Sequence, residues 1–461
     1  MRNVAVLDIG KTNVKVALMQ EGTLAELAVV SRPNTVRPGP PWPHFDLEGH
    51  WAFFLHHLSA FHRTHGVDAI SVTAHGASAV LLDRACLLAV PMLDYEHHGP
   101  HDLAEAYAAL RPPFTKTGSP RLPMGLNLGA QLHWQLSIDP DLRNRLAHVV
   151  TYPQYWGFRL TAELACDLSS LGCHTDLWNP WAGDFSGLVD QLGLTGRIAP
   201  PRRPDEVLGT LRPELAAATG LPATTPVSVG IHDSNASLYP HLLGRRGPFG
   251  VVSTGTWVIC MAMGGARLAL DPSRDVLVNV NALGQPVPSA RFMGGREFEI
   301  LGREGLAAPT QADRTAVLKR GVMLLPAVEP RSGPFQGRAS RWSSPPASEG
   351  ERMLAASWYL ALMTRSCLDL VGARGVIVVE GPFARNPDYL DMLASVSPDG
   401  VEVAASVTGT SVGAALLALR SVESPVTRAA GRPDPALASY ADAWCATLQA
   451  TPEGRDSLTS G

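Results

Sequence analysis

The chain has 461 residues, more than one hydrophobic core usually organises, so two domains are expected. Hydrophobic residues make up 45% of the sequence and charged residues 17%, which indicates a globular chain rather than a disordered one. The net charge of −4 offers no basic surface for nucleic acid or for an anionic membrane. We therefore expect no nucleic-acid partner and no membrane partner.

The start of the chain carries only a short apolar run, because Asp8 interrupts it. That run is too short for a signal-peptide core, and no later stretch is long and apolar enough to span a bilayer. The six cysteines lie far apart without a CxxC pair, as in a reduced, cytoplasmic protein. His97, His98 and His101 cluster, but no cysteine or carboxylate pair completes a ligand set, which favours surface histidines over a metal site.

The first half of the chain predicts an α/β domain over residues 1–245. Apolar runs separated by turns indicate strands, and apolar spacing of three to four residues indicates helices. Beyond residue 100 the pattern is largely helical, and a proline-dense stretch at 198–226 precedes the run VSVGIHDSNAS. Strands are predicted at 3–9, 14–18, 68–73, 79–83 and 86–90, and a helix at 47–62.

The second half predicts another α/β domain over residues 246–461. It opens with the strand VVSTGTW, and residues 329–348 are too polar and proline-rich to pack. Residues 352–371 are apolar nearly all round and predict a buried helix. The remaining predicted elements are a strand at 376–379, a helix at 387–396, the strand VEVAA and a helix that opens at GTSVGAALLAL.

Three segments have the composition that phosphoryl transfer needs, which is donors around phosphates, a Mg²⁺ site and a carboxylate base. In the first, DIGKTNVK, Asp8 ends a strand and Gly10 lets backbone N–H groups approach a phosphate. Thr12 and Asn13 add donors and Lys15 adds charge. An ordinary β-hairpin with a polar turn explains this segment equally well, and no Walker loop is present.

The second segment, STGTW, repeats this chemistry at the start of the second half. A strand again runs into a turn rich in hydroxyl groups and glycine, which is weak evidence alone. The residues concerned are Ser253, Thr254, Gly255 and Thr256.

The third segment, VGIHDSNA, places Asp233 after an apolar strand and before a predicted helix. A carboxylate held at a strand end is suited to act as a general base. An Asp at this position can instead cap the helix that it precedes. The segment alone leaves both interpretations open.

The three segments, in this order and at these separations, resemble the FGGY family of carbohydrate kinases. The stretch 208–237 resembles the family's linker and base segment, and the hairpin and STGTW turn resemble its two phosphate loops. STGTW is most similar to the L-fuculokinase and rhamnulokinase branches. Further similar stretches are 71–83, 152–178 and VIVVEGPFARNPDYLDMLA with VTGTSVGAALLA, so the resemblance covers roughly residues 1–420.

The resemblance implies an α/β fold of two ribonuclease-H/actin-like domains, each with a mixed five-stranded sheet flanked by helices. ATP and Mg²⁺ would lie in the cleft between the domains, whose closure excludes water. The implied activity is transfer of the γ-phosphate of ATP to a hydroxyl, usually primary, of a ketose such as fuculose, rhamnulose or a pentulose. A polyol or sugar acid acceptor, an actin-like ATPase with a binding role, and a homodimer stay open.

The resemblance also implies roles for individual residues. Asp233 would be the base, and Asp8 would lie beside Mg²⁺ through water. The phosphates would be surrounded by Gly10, Lys11, Thr12, Asn13 and Lys15, together with Ser253, Thr254, Gly255 and Thr256. The sugar would be contacted by His75, Gly76, Asp94, Glu96, His232, Ser234 and Asn235, with Tyr152, Gln154 and Trp178 as weaker candidates; Trp178 could equally be simple packing.

Two positions depart from the family pattern. Lys11 stands where a small residue is usual, and its charge could face the γ-phosphate or solvent. The adenine-side loop keeps one glycine, Gly381, of the usual three, and Pro382 fixes the backbone next to it. Phe383 could then stack on adenine or pack beneath the loop, and Asn386 would complete the nucleotide contacts.

Overall fold

The computed structural model describes residues 2–302, 308–404, 409–419 and 426–450. The chain folds into two compact units. The first comprises Met1–Arg245, Val278–Pro286 and Thr408–Pro425, and the second comprises Arg246–Leu277, Val287–Val407 and Val426–Gly461. Two predicted segments extend beyond the described residues. The strand VEVAA does so at its last residue, and the VTG before the last predicted helix does so at its first two residues.

A seven-stranded mixed sheet forms the centre of the first unit. Its strand Asn3–Ile9 is buried on both faces, as its unbroken apolar sequence requires. This strand pairs antiparallel with Asn13–Gln20 and parallel with Ala69–Ala74. The strands in sheet order are Val207–Thr210, Pro226–Ser228, Ala69–Ala74, Asn3–Ile9, Asn13–Gln20 and Glu26–Pro33, with Ile231–His232 also paired parallel to Ala69–Ala74.

Helices and short strand pairs surround this sheet. The helix Leu47–His65 begins where the Asp46 carboxylate accepts a hydrogen bond from the Gly49 N–H, which satisfies an otherwise unpaired donor. The other helices are Gly99–Asp102, Ala104–Leu110, Phe114–Thr117, Leu128–Ile138, Leu142–Arg145, Tyr152–Thr161, Leu168–Leu171, Leu188–Gln191, Pro213–Thr219, Asp233–Gly244 and Thr410–Leu416. The short strand pairs are Val36–Arg37 with His44–Phe45, Ala79–Leu82 with His148–Thr151, Cys166–Asp167 with Pro201–Arg202, and Trp178–Asn179 with Asp184–Phe185.

The second unit is built on a similar plan. Its strand Phe249–Thr254 pairs antiparallel with Val258–Met263 and parallel with Ile377–Glu380. The seven strands in sheet order are Val276–Val280, Pro286–Phe292, Val258–Met263, Phe249–Thr254, Ile377–Glu380, Val401–Ala404 and Thr427–Ala430, and Leu324–Leu325 pairs with Arg341–Trp342. The helices are Gly294–Leu301, Gln311–Arg320, Glu349–Leu370, Pro387–Ser395 and Pro435–Ala450, with 3₁₀ turns at Pro272–Arg274 and Pro382–Arg385.

Two of the sequence-based expectations for the fold are wrong. Each main sheet has seven strands rather than five. The predicted strand at 86–90 is a turn with one isolated bridge between Leu82 and Leu88. Leu87 is 66% exposed there, so the apolar run is not a core segment. No helix in the described ranges is long and apolar enough to cross a membrane.

Two helices of the first unit, Asp233–Gly244 and Thr410–Leu416, pack with their backbones nearly in contact. A Cβ atom on Gly413 would lie 1.6 Å from the carbonyl oxygen of Ala236. Only glycine fits at such a distance, since no side chain has room between the two backbones. Gly413 therefore fixes how closely the helix that begins at Asp233 is held.

We predict that Gly413→Ala destabilises the protein by about 3 kcal/mol, the upper part of the usual cost of overpacking. The sign is diagnostic, because glycine to alanine within a helix otherwise stabilises by about 1 kcal/mol. Gly409→Ala is the matched control: a Cβ there meets nothing within 4 Å, and the loss of a glycine N-cap costs about 1 kcal/mol or less. Urea unfolding followed by circular dichroism measures both, and equal midpoints for the two variants would contradict the close-packing argument.

Candidate active site

Three predicted site residues lie together at one edge of the first unit's sheet. Strands Asn3–Ile9 and Ile231–His232 both run parallel to Ala69–Ala74, with Asp8 and Ile231 each opposite Thr73. Asp8, His75 and Asp233 therefore stand at or just beyond the carboxyl ends of three neighbouring parallel strands. Ligands of α/β proteins bind at this kind of edge.

Asp8 is buried, and its Oδ2 atom accepts several hydrogen bonds. Lys15 Nζ lies 3.0 Å from Oδ2, and the Ser411 hydroxyl donates to the same oxygen at 3.3 Å. The Thr410 hydroxyl donates to it as well. Lys15, predicted to add charge near a phosphate, is thus paired with Asp8. The sequence interpretation missed Thr410 and Ser411, although they are the hydroxyl residues that open the predicted GTSVGAALLAL helix.

The turn after Asp8 is a tight hairpin. The Gly10 N–H donates to the carbonyl oxygen of Asn13 at 2.9 Å, which closes the turn. The side chains of Thr12 and Asn13 are exposed, and Asn13 Nδ2 donates to Thr12 Oγ1 at 3.2 Å. Their donors stay accessible to a ligand, whereas the N–H of Gly10 is already used.

Asp233 is the first residue of the helix Asp233–Gly244, and His232 occupies the N-cap position. The Asp233 carboxylate accepts from the Ser234 N–H at 2.6 Å and the Ser234 hydroxyl at 3.3 Å, so it satisfies a first-turn donor of its own helix from inside the helix rather than from the N-cap position. Burial raises the pKa of the Asp233 carboxyl to about 6. A proton on the nearby His75 ring and the Ser234 hydrogen bonds would each oppose this shift, and the charge of Asp8 reinforces it.

His232 is held against Asp233 in one tautomer. Asn235 Nδ2 donates to His232 Nδ1 at 3.3 Å, so the ring proton is on Nε2, which lies 3.2 Å from Asp233 Oδ1. Burial lowers the pKa of His232 to about 4, so the ring is neutral near pH 7. A Cβ on Gly76 would lie 2.6 Å from His232 Nε2, so Gly76 makes room for the ring.

His75 lies beside this pair and is 5% exposed. Its Nδ1 donates to the Gly76 carbonyl oxygen at 3.0 Å, and its ring centroid lies 5.1–5.4 Å from those of Phe45, Tyr95 and Tyr152. Burial lowers the pKa of His75, so the ring is neutral and Nε2 carries a lone pair. Within the described part of the chain this buried Nε2 has no hydrogen-bond partner. It is a free acceptor for a ligand hydroxyl.

Lys11 has partners that neither sequence alternative named. Its ammonium contacts the Asp94 carboxylate and lies 3.2 Å from Glu96 Oε2. It also lies over the rings of Tyr95 and Phe45, 4.6 Å and 5.1 Å from their centroids. Lys11 therefore joins Asp94 and Glu96, which the sequence assigned to the sugar.

Gln154 and Trp178 belong to the scaffold. Gln154 is fully buried, and its Nε2 donates to the carbonyl oxygens of Val229 and Gly230 at 3.0 and 3.1 Å. Its Oε1 accepts from the Thr151 hydroxyl at 2.5 Å. The sugar-contact prediction for Gln154 is corrected accordingly: it anchors the segment that leads to Asp233. Trp178 packs edge-on against Phe185, as its packing alternative stated.

In the second unit, Thr254 ties the STGTW turn to the segment 380–383. Its hydroxyl donates to the Glu380 carbonyl oxygen at 2.5 Å and accepts from the Phe383 N–H at 3.1 Å. Gly381 has φ +82°, and a Cβ there would lie 2.0 Å from the Thr254 carbonyl oxygen. The Thr254 hydroxyl proton is thus engaged, which corrects its assignment as a phosphate donor. The single remaining glycine of this loop serves packing against Thr254.

Phe383 and Asn386 are also engaged within the second unit. Phe383 is 6% exposed, and its ring packs on Phe298 and Tyr389 with centroids 5.8 and 5.3 Å away. Asn386 Oδ1 accepts from the Tyr389 N–H at 3.1 Å and its Nδ2 donates to the Ser357 hydroxyl at 3.0 Å. These contacts correct both nucleotide assignments: Phe383 packs beneath the loop and Asn386 caps the next helix.

The exposed part of the STGTW turn rests on a glycine pair that the sequence interpretation missed. Gly255 and Thr256 are exposed and Ser253 is partly buried. A Cβ on Gly295 would lie 2.1 Å from the Gly255 carbonyl oxygen, and the Gly295 N–H donates to the Thr256 carbonyl oxygen at 3.2 Å. The sequence signal that could have revealed this contact is the glycine pair at the start of the helix Gly294–Leu301.

No cluster of three or more His, Cys, Asp or Glu side chains able to hold a metal ion occurs among the described residues. His97, His98 and His101 are among the described residues that form no such cluster. A Mg²⁺ ion does not need such a cluster, since it commonly binds one or two carboxylates together with water and substrate phosphates. Asp8 at the sheet edge is a carboxylate of that kind.

A mixed-sheet unit with two carboxylates and two neutral histidines at its carboxyl edge, followed by a second unit of similar plan, defines an α/β enzyme scaffold. The profile described as "FGGY family of carbohydrate kinases, N-terminal domain" matches residues 4–239, and "Carbohydrate kinase FGGY, C-terminal domain" matches residues 246–426. The chain therefore belongs to the FGGY family of carbohydrate kinases. The expected two-domain actin-like α/β fold is thereby confirmed.

Relatives of known structure or name agree with this assignment. The chain is 36% identical to a carbohydrate kinase from Novosphingobium aromaticivorans, with a TM-score of 0.89 over 96% of this chain and 100% of that one. It is 26% identical to an L-fuculokinase from Salmonella typhi over 57% of each chain. It is 27% identical to a xylulose kinase from Escherichia coli over 54% of each chain. The matched part thus spans little more than half the length of these curated relatives.

We predict that Phe383→Ala lowers the free energy of unfolding by about 3–5 kcal/mol, as truncation of a buried aromatic does. Phe383→Leu should cost less than about 1.5 kcal/mol, because it keeps most of the packed volume. ATP affinity, measured by calorimetry, should stay within about twofold of wild type in the Leu variant. An adenine-stacking role would instead weaken ATP binding in both variants, by the roughly 1–3 kcal/mol of a stacked base.

Proposed function

We propose that the protein is an ATP-dependent sugar kinase that phosphorylates the primary hydroxyl of a ketose such as L-fuculose, L-rhamnulose or a pentulose. The observation that carries the proposal is Asp233, a carboxylate of raised pKa that stands at the carboxyl edge of the sheet beside a neutral histidine. Family membership supports the kinase class, and the names of the curated relatives support a ketose. A cytoplasmic location and a homodimer stay predictions from the sequence.

In the proposed reaction, Asp233 accepts the proton of the acceptor hydroxyl as its oxygen attacks the γ-phosphorus of ATP. A bond forms between the sugar oxygen and the γ-phosphorus, the bond from the γ-phosphorus to the β–γ bridging oxygen breaks, and ADP leaves. His232 Nε2 lies 3.2 Å from Asp233 Oδ1, and the Ser234 N–H holds the carboxylate in place by donating to the same oxygen at 2.6 Å. A base with a pKa near the working pH combines an ionised state with enough basicity to take the proton.

The phosphates and the metal would be bound by exposed donors and by Asp8. Thr12 and Asn13 in the first turn, and Gly255 and Thr256 in the second, have accessible polar groups. Mg²⁺, held by Asp8 through water, would neutralise negative charge on the phosphates. The Lys15, Thr410 and Ser411 contacts fix the orientation of the Asp8 carboxylate.

The acceptor would lie against His75, Asp94 and Glu96. The unpartnered Nε2 of His75 can accept a hydrogen bond from one sugar hydroxyl. The carboxylate oxygens of Asp94 and Glu96 can accept from others.

The proposal is tested by measuring ADP formation with a panel of ketoses, polyols and sugar acids. ADP release that depends on an added acceptor, together with identification of the phosphorylated product, supports the kinase. ADP release that is the same with and without every acceptor would instead indicate an actin-like ATPase with a binding role.

We predict that Asp233→Asn lowers kcat by about 10²–10⁴-fold at saturating substrates, because an amide keeps the shape of the carboxylate but cannot accept the proton. Calorimetry should show the affinity for ATP and for the sugar close to wild type. Turnover above half of the wild-type value would remove Asp233 from this role.

We predict an acidic limb in the pH profile of kcat/KM with an apparent pKa of about 6. The base is active when ionised, so activity is at its plateau above that pKa and falls as the pH decreases through it, to about one tenth at pH 5. The groups that face Asp233 are His75, His232, Ser234 and Asp8. Initial rates at subsaturating sugar between pH 4.5 and 8 measure the limb. A midpoint near 4, the value of a solvated Asp, would contradict the burial argument.

A further inference from the structure

We propose that the cluster of Lys11, Asp94 and Glu96 sets the charge specificity of the acceptor site: its net negative charge favours uncharged polyhydroxylated acceptors over sugar acids, and Lys11 determines how strongly by offsetting part of that charge. The inference rests on the proposed kinase function and goes beyond it in naming the charge class of the substrate. It also moves Lys11 from the phosphate side, where the sequence placed it, to the sugar side.

The position of the Lys11 ammonium carries the first step. An ammonium has three donors, and this one contacts the carboxylates of Asp94 and Glu96. The rings of Tyr95 and Phe45 face it at 4.6 and 5.1 Å, distances at which a cation is attracted to an aromatic face. The ammonium is thus enclosed by four partners, all of which lie toward the predicted sugar residues.

The second step of the inference is that the cluster around Lys11 lies close to the proposed base, Asp233. The ring centroid of His75 lies 5.2 Å from that of Phe45 and 5.4 Å from that of Tyr95, the two rings that hold Lys11. Burial raises the pKa of Tyr95 to about 12, and the negative charges of Glu96, Asp94 and Asp233 add to the shift. Lys11, Asp94 and Glu96 are therefore within electrostatic range of the site where the acceptor hydroxyl would react.

The balance of charge carries the third step. One cation stands among three carboxylates, Asp94, Glu96 and Asp233, while the buried imidazoles of His75 and His232 are neutral. An acceptor carboxylate would enter a region of net negative charge, and the ammonium that could attract it is already shared by two carboxylates. Hydroxyl groups meet no such repulsion, because they can donate to the carboxylate oxygens.

The first experiment compares Lys11→Met with Lys319→Met, a matched control at an exposed lysine of the second unit. Lys11→Met should raise KM for the preferred ketose about tenfold or more, and leave KM for ATP within about twofold, because the Asp94 and Glu96 carboxylates lose their counter-charge. Lys319→Met should change neither constant. A rise in KM for ATP with unchanged ketose affinity would overturn the inference and place Lys11 on the phosphate side.

The second experiment measures charge selectivity directly, as the ratio of kcat/KM for a ketose to that for an aldonate of the same length. The wild-type ratio should favour the ketose by about 100-fold. Lys11→Met should widen the ratio and Glu96→Gln should narrow it, since the two changes move the local charge in opposite directions. Glu96 is 54% exposed at its side chain, so this variant is expected to fold even if the lysine variant is unstable. If Lys11 and Glu96 had only a structural role, both substitutions would change the ratio of ketose to aldonate kcat/KM in the same direction.

A third measurement titrates ketoses and aldonates into the wild-type protein by calorimetry, in the absence of nucleotide. A wild-type protein that forms no ADP with any acceptor would count against the proposed kinase function. A wild-type protein that forms ADP but prefers aldonates, or binds them as tightly as ketoses, would overturn the Lys11 inference and leave the kinase standing.

Discussion

The parallel register of three short strands is the constraint on which the site depends. Asn3–Ile9 and Ile231–His232 are aligned on Ala69–Ala74 so that Asp8, His75 and Asp233 lie at one sheet edge. Side chains alternate between faces along a strand, so a slip of one residue in any of the three would turn one of these groups away. The residues that fix the alignment are buried, and most are apolar, although Ser71 and Thr73 of the central strand carry hydroxyl groups. Gln154 adds to them by bonding the carbonyl oxygens just ahead of Ile231.

Close contacts at three glycines also fix the positions of the elements around the site. Gly76 leaves room for the His232 ring, Gly413 lets a helix approach Ala236, and Gly381 lets its loop lie on Thr254. In each case a Cβ atom would come within 2.6 Å of its neighbour. Glycine next to a nucleotide loop is usually explained by close approach to a phosphate. At these three positions, however, the atoms that leave no room for a side chain belong to the protein itself. The three glycines therefore let His232, the helix that begins at Asp233 and the Thr254 turn pack closely against their neighbours.

The sequence was sufficient to predict the features that depend on local order. The hairpin around Gly10, the buried helix at 349–370 and the carboxylate after the strand of Asp233 all depend on neighbouring residues, and the structure has each of them. It was insufficient for polar residues whose partners are distant in sequence. Gln154, Asn386 and Thr254 look like ligand donors in a linear motif, but each also bonds a group between 29 and 129 residues away that the linear motif does not reveal. Thr410 was missed for the same reason, since its partner Asp8 is 402 residues away.

The raised pKa of Asp233 results from burial of its carboxylate without a neighbouring cation that fully neutralises it. A charged His232 against Asp233 would form an ion pair and depress the carboxyl pKa, which would leave a weak base. Burial instead keeps the imidazole neutral, so the ring stands beside the Asp233 carboxylate without adding a positive charge. The two hydrogen bonds from Ser234 offset the effect of burial only in part, so the pKa of the Asp233 carboxyl stays raised. The ammonium of Lys11 is paired with the carboxylates of Asp94 and Glu96. The proposed base thus keeps its basicity through burial, while the charge of Lys11 is shared by two other carboxylates.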